Sequence, residues 1–234
     1  MKTALLSELI TSKGVLVQSA VIYVVVAGVI GISMQSPIAM LACVGAMTPV
    51  MMTFTFCAMD AQNGWERFRA TLPVSRAALV ASRYANVLAT TVVMVLLVWV
   101  LALVLGNAAV PVLPFEPADA ASFADELSDP LQLLCAGLLG AAMMLGLSAL
   151  ILPLSMRYGM TKSIRIVPVV LIMLLPVSML ALNQLPDMAS AFVQVGAWIE
   201  AHFLVAVTAF VAAMLAAYAL SCAVAIALYR TKEL

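Results

Sequence analysis

Few side chains in this sequence combine the type and the spacing that chemistry needs. Trp65, Phe68 and Leu72 recur at i, i+3 and i+7, one stripe of a helix, and Glu66, Arg67 and Arg69 take its other faces. An apolar stripe flanked by both signs of charge is docking chemistry. It fits a groove in a partner, or it anchors at a membrane surface with the tryptophan among headgroups and the arginines on lipid phosphate. Arg157, Lys162 and Arg165 form a second, compact basic segment. These three suit lipid phosphate or an acidic partner surface, or they serve only to set topology. Five carboxylates, Glu116, Asp119, Asp125, Glu126 and Asp129, crowd another segment. They attract a cationic substrate or form a solvated loop, and with no histidine or cysteine beside them they make a poor metal site.

Catalytic material is scarce. Asp60, Glu200 and His202 are the only candidate acid–base groups at the edges of the long apolar stretches, and none stands inside one. An intramembrane hydrolase, a proton- or sodium-coupled pump and a charged channel filter all need such groups within the membrane. Cys43, Cys57, Cys135 and Cys222 lie in apolar stretches without a CxxC pair. They read as small packed side chains, neither disulfides nor metal ligands. No GxxxxGK[ST] phosphate loop occurs, so the chain does not hydrolyse ATP in that way.

The elements that must carry these residues follow from composition. Of 234 residues, 65% are hydrophobic and 9% charged, and mean hydropathy is +1.16. A soluble domain carries about 25% charged residues. This composition excludes a soluble enzyme, a disulfide scaffold, a disordered chain and a nucleic-acid binder, and leaves a single polytopic membrane domain over 1–234. Spans of about 20 apolar residues fall at 14–33, 38–57, 84–105, 131–152, 166–182 and 203–228. Pro37 and its polar neighbours break the uncharged stretch between Gly14 and Met59 into two of these.

With six spans, the 11 basic residues sort to one side. Lys2 and Lys13 precede the first span. Arg67, Arg69, Arg76 and Arg83 lie between the second and third, and Arg157, Lys162 and Arg165 between the fourth and fifth. Arg230 and Lys232 follow the sixth. The other three connections hold only acidic charge. By the positive-inside rule both termini are cytoplasmic.

Leu5, Leu6, Leu9 and Ile10 share one helical face, which suggests an N-terminal amphipathic helix along the inner surface, or else the first turn of the first span. Pro73 ends the helix that carries Trp65, and Ser75 is placed to cap a new helix that carries Arg76 and Arg83 into the third span. Pro111, Pro114 and Pro117 extend the first half of the acidic segment, and 118–127 suits a short helix. Ala136 with Gly140, Ala142 with Gly146, Ala212 with Ala216, and Ala223 with Ala227 allow close helix approach. Pro49, Pro168 and Pro176 can kink spans.

Asn63-Gly64-Trp65-Glu66, then Leu72-Pro73-Val74-Ser75-Arg76, then Arg83-Tyr84, resemble the first cytoplasmic loop of type-2 ABC transporter permeases, in the branch of small bacterial efflux and peptide-export permeases. Leu152-Pro153-Leu154 and Arg157-Tyr158-Gly159, followed by Lys162 and Arg165, are similar to that family's loop between spans four and five. Thr161 departs from it, where an acidic residue often precedes the lysine. The resemblance implies an all-α permease in a bacterial inner membrane, paired with a second copy or a paralogue. It implies a separate ABC ATPase subunit that binds ATP and magnesium, while this chain binds no cofactor. Trp65, Glu66, Arg67, Phe68, Arg69 and Leu72 would form the coupling helix on that ATPase, with Arg157, Lys162 and Arg165 as a secondary contact. Amphipathic or hydrophobic cargo, peptide or drug-like, would be moved outward; the substrate-binding residues are not identified. The competing reading is a membrane immunity or scaffold protein without transport.

Charge sorting makes a direct prediction. Cysteines placed at Arg67 and at Lys162 should react with an impermeant thiol reagent only from the cytoplasmic side of intact cells; labelling of either from outside would break the topology.

Overall fold

A computed structural model describes residues 2–61, 75–109, 117–158, 176 and 188–230. Among these the chain is all-helical: α1 (Lys2–Met34), α2 (Pro37–Ala61), α3 (Arg76–Ala109), α4 (Pro117–Ser128), α5 (Pro130–Tyr158), α6 (Met188–Ala201) and α7 (Phe203–Arg230). Five stretches are long and apolar enough to cross a bilayer: Ser12–Met34, Pro37–Met59, Arg76–Val104, Pro130–Arg157 and Phe203–Tyr229. The span expected at 166–182 lies, but for Pro176, outside the described residues.

Two expectations are corrected. The N-terminal amphipathic helix is not a separate element, because Lys2–Met34 is one helix. No proline stands between Ile10 and Val15, and Gly14 in a helix interior costs only about 1 kcal/mol, so nothing stops the helix before the span. The third span also starts earlier than hydropathy suggests. Ser75 caps α3, its Oγ accepting the Ala78 N–H at 3.2 Å, so Arg76 and Arg83 both lie within the helix. A further helix, α6, falls outside the span pattern read above. His202 separates α6 from α7, yet the helical ladder runs through it: its N–H donates to Trp198 O and its carbonyl accepts from Ala206 N–H, each at 2.9 Å.

Capping sets the corners. Gln35 takes φ 53°, a left-handed conformation that ends α1. Ser36 then caps α2, with Pro37 at the first helical position, where a missing N–H costs nothing. Asp129 and Pro130 repeat the device at α5, where Asp129 Oδ1 accepts N–H bonds from Leu131 at 3.1 Å and Gln132 at 3.2 Å.

The most extensive packing is between α2 and α5. Glycine makes it possible. A Cβ on Gly45 would stand 2.2 Å from Gly137 O, and one on Gly140 would stand 2.3 Å from Ala42 O. The two backbones therefore touch. α7 packs on α5, where Gly146 meets Met214 Sδ, and α3 and α1 close the other side. Ala212, Ala216, Ala223 and Ala227, expected as close-approach pairs, are all exposed on α7. The described basic side chains Lys13, Arg76, Arg83 and Arg157 share one end of the bundle, hereafter the basic end. Asp119, Asp125, Glu126 and Asp129 share the other, the acidic end.

The crossing predicts an unusual sensitivity. Gly45→Ala adds one methyl group with nowhere to go and should cost about 2 to 3 kcal/mol, read from unfolding of the purified protein in detergent. Gly196→Ala on α6 meets nothing within 4 Å and should be neutral or slightly stabilising.

Candidate functional site

Trp65, Glu66, Arg67, Phe68, Arg69 and Leu72 lie outside the described residues, as do Lys162 and Arg165. Arg157 sits exposed in the last turn of α5, where a cation favours the helix dipole. What the structure does describe is the pair of helix ends that flank residues 62–74 in sequence. These ends, of α2 and α3, are tied into the bundle by a polar junction.

The junction begins with a proline. Pro153 stands inside α5, and it has no N–H to donate to the carbonyl four residues back, that of Ala149. In hydrocarbon an unpaired carbonyl costs several kcal/mol. The hydroxyl of Ser221, on α7, supplies the missing donor to Ala149 O. Ser221 has one proton and has spent it. The contact between Tyr84 Oη and Ser221 Oγ, 2.9 Å, must therefore run from tyrosine to serine. Tyr84 belongs to α3. Its own backbone carbonyl accepts the hydroxyl of Tyr218 at 3.1 Å, and the two rings lie 4.9 Å apart at 51°. One freed carbonyl thus gathers α3, α5 and α7.

The end of α2 joins the same level. Cys57 Sγ donates to Ser155 Oγ on α5 at 3.2 Å, and Ser155 in turn donates to Leu152 O at 2.8 Å. Arg83 of α3 is 2% exposed, with its guanidinium 6.0 Å from the centre of the Phe56 ring on α2. A desolvated contact of this kind contributes about 2 kcal/mol. The sequence reading put Arg83 in a connection and left the spans free of charge. The helix from Arg76 carries it toward the third span, and seven residues after Arg76 the arginine is buried beside Phe56 of α2. Ser148, next to Ala149, is fully buried and its hydroxyl has no partner among the described residues.

At the acidic end a second polar contact fixes α4. Glu126 Oε2 accepts the Ser36 hydroxyl at 2.6 Å and the Ile38 N–H at 3.2 Å. A carboxylate placed at the first turn of α2 complements its dipole. Glu126 and Asp129 are thereby occupied as helix caps, which removes two of the five carboxylates that had suggested a cationic substrate. Glu116 lies outside the described residues. His202 is exposed, its ring stacked on Trp198 at 5.3 Å.

The hydrogen bonds of the junction tie α2, α3, α5 and α7 together at one level of the bundle. The sequence reading ended the fourth span at 152, just short of Pro153, whereas the helix runs on to Tyr158; periodicity does not say which helix answers the missing N–H. A family model described as ABC-2 family transporter protein matches residues 5–230. No curated protein and no solved structure matches the chain.

The proline argument can be tested by a double-mutant cycle. Ser221→Ala should cost about 1 to 3 kcal/mol, because it strands Ala149 O. In a Pro153→Ala background residue 153 regains its N–H, and the same change should cost clearly less. Equal costs in both backgrounds, measured by unfolding in detergent, would refute it.

Proposed function

The chain belongs to the ABC-2 family of transporter proteins, and from that premise we propose that this permease subunit is the membrane half of an exporter. It moves amphipathic or hydrophobic cargo, peptide or drug-like, outward across a bacterial cell membrane. ATP, with magnesium, is hydrolysed by a separate ABC ATPase subunit, and a second permease copy or a paralogue completes the pathway. The basic end of the bundle is cytoplasmic, as are both termini. The observation that carries the reading is the family match along nearly the whole chain; the described helices add five stretches long and apolar enough to cross a bilayer.

In this reading residues 62–72 form the coupling helix. Trp65, Phe68 and Leu72 fill an apolar groove in the ATPase, and Glu66, Arg67 and Arg69 set its register. Arg157, Lys162 and Arg165 make a secondary contact. Closure of the ATPase pushes on the segment between α2 and α3. The first bonds to feel that push are the ones at the junction, Cys57 to Ser155 and Tyr84 to Ser221. The hydroxyl of Ser148 at the same level, without a partner among the described residues, supports a junction with a second arrangement, since a buried unpaired group costs about 1 to 3 kcal/mol and is relieved by repacking.

The test is biochemical. The double variant Trp65→Glu, Phe68→Glu should insert in the membrane as the wild type does, yet fail to stimulate ATP hydrolysis by the partner subunit or to co-purify with it. Unchanged stimulation would sink the coupling-helix assignment. Absence of any co-purifying ATPase with the wild-type protein would sink the exporter reading itself.

A further inference from the structure

Toward the acidic end, α1, α2, α3 and α4 enclose an apolar cavity of about 180 Å³. Gly28 and Gly31 of α1 face Ala102 and Gly106 of α3 across it, and Phe123 and Leu127 of α4 line it from that end. We propose that this cavity is a binding slot for one acyl chain of a phospholipid in the leaflet at the acidic end. The proposal does not depend on the exporter reading.

Three observations carry it. The first is the chemistry of the walls, which among the described residues hold no polar side chain. Water would find no partner there; apolar cavities of about 150 Å³ stay dry and accept hydrocarbon instead. The second is that the mouth is open while the depths are snug. A Cβ added at Gly28 would meet nothing within 4 Å, whereas one at Gly31 would stand 3.1 Å from Met40 Sδ. The third is where the mouth opens. Gly28 and Ile32 on the rim are exposed. They continue into Val25 and Val29, also exposed, on a helix long and apolar enough to span the bilayer. The slot is therefore continuous with the surface that α1 presents to lipid. In that setting the neighbouring molecule is an acyl chain, and every methylene that moves from a loose boundary layer into a close-fitting slot gains dispersion contacts.

The roof explains why one chain should be held there in preference to a passing one. α4 is fastened over α2 by Glu126 on Ser36 and Ile38, and Leu127, the next residue, reaches the cavity. At Gly106 the fit is already close, because an added Cβ would stand 2.9 Å from a Leu127 methyl. A chain must enter sideways past Gly28 and lie beneath Phe123. The glycine keeps that mouth open.

The experiment uses the purified full-length protein in bilayers of phosphatidylcholine carrying a diazirine on one acyl chain. After irradiation the labelled peptides are mapped by mass spectrometry. Label should concentrate on residues 24–32 and 98–106. Gly28→Leu fills the mouth and should lower that label about tenfold, equivalent to about 1.4 kcal/mol of lost binding. Label on the exposed α7 residues Leu220 and Val224 should not change, which also reports that the variant is folded. Gly28→Ala should fall between. Even labelling of α1 and α7 in the wild type would overturn the proposal, as would a Gly28→Leu variant that labels normally. So would efficient disulfide formation between two chains carrying Gly28→Cys with no lipid label at the slot, since a second copy would then be the occupant.

Discussion

The contact on which the rest of this bundle depends is the backbone-to-backbone crossing of α2 and α5. Between helices in a bilayer there is no hydrophobic driving force, because lipid tails are as apolar as leucine; association comes from close packing and a few hydrogen bonds. Gly45 and Gly140 let each helix bring its bare backbone against the other's carbonyls. Leu41, Val44, Leu133 and Leu145 then pack around the crossing, all of them buried. α3 and α7 are positioned by what this pair leaves exposed. That is why one methyl group at Gly45 weighs more than the loss of a larger side chain on the lipid face.

Around that fixed point, prolines decide where polar chemistry goes. Hydrocarbon tolerates a helix because each carbonyl finds its own N–H, and a proline breaks that arrangement at one known place. Pro153 opens a vacancy at Ala149, and Ser221 closes it from another helix. Tyr84 then completes Ser221. A local defect has become a link between three helices. Pro49 opens a similar vacancy at Gly45, in the crossing itself. The threonines beside it, Thr48 and Thr53, turn their hydroxyls back onto Val44 O and Pro49 O, so they bring no unpaired donor into the contact.

Much of this was legible in the sequence, and the divisions follow the physics. Hydrocarbon thickness sets span length, so five described helices fall on the expected ranges within a few residues except at the start of α3. Hydropathy alone sets that bound late, at residue 84, because it counts Arg83 as solvated; the cap at Ser75 marks where the helix begins, and Phe56 receives the guanidinium. The short acidic helix and the cap at Ser75 were visible because local turn chemistry is nearly independent of tertiary structure. The separate N-terminal helix was misread because amphipathicity says which face is apolar and not where a helix ends. Ser221 was not singled out at all, and Glu126 only as one of five carboxylates, not as a cap on α2. Their roles depend on partners 72 and 90 residues away, and no periodicity within one element carries that information. Small-residue pairs were a mixed guide: Gly140 and Gly146 meet neighbours, and the alanine pairs of α7 face outward.

The crossing also determines how α2 carries movement. At about 1.5 Å per residue, Ala61 lies roughly 24 Å from Gly45 along the helix, and Ser36 roughly 14 Å the other way. A rigid α2 tilting about the crossing would therefore return rather more than half of any sideways displacement at its basic end as an opposite displacement at its acidic end. Glu126 grips that acidic end through Ser36 and Ile38, so α4 must either follow or let go. The hydrogen bonds at the two ends of α2 are in this sense alternatives under load. If α4 follows, the cavity beneath Phe123 changes shape with the helix; if it lets go, the roof of that cavity is released. Either way, a sideways displacement of α2 at its basic end would reach the opposite face through one helix, with no chain of coupled side chains through the core.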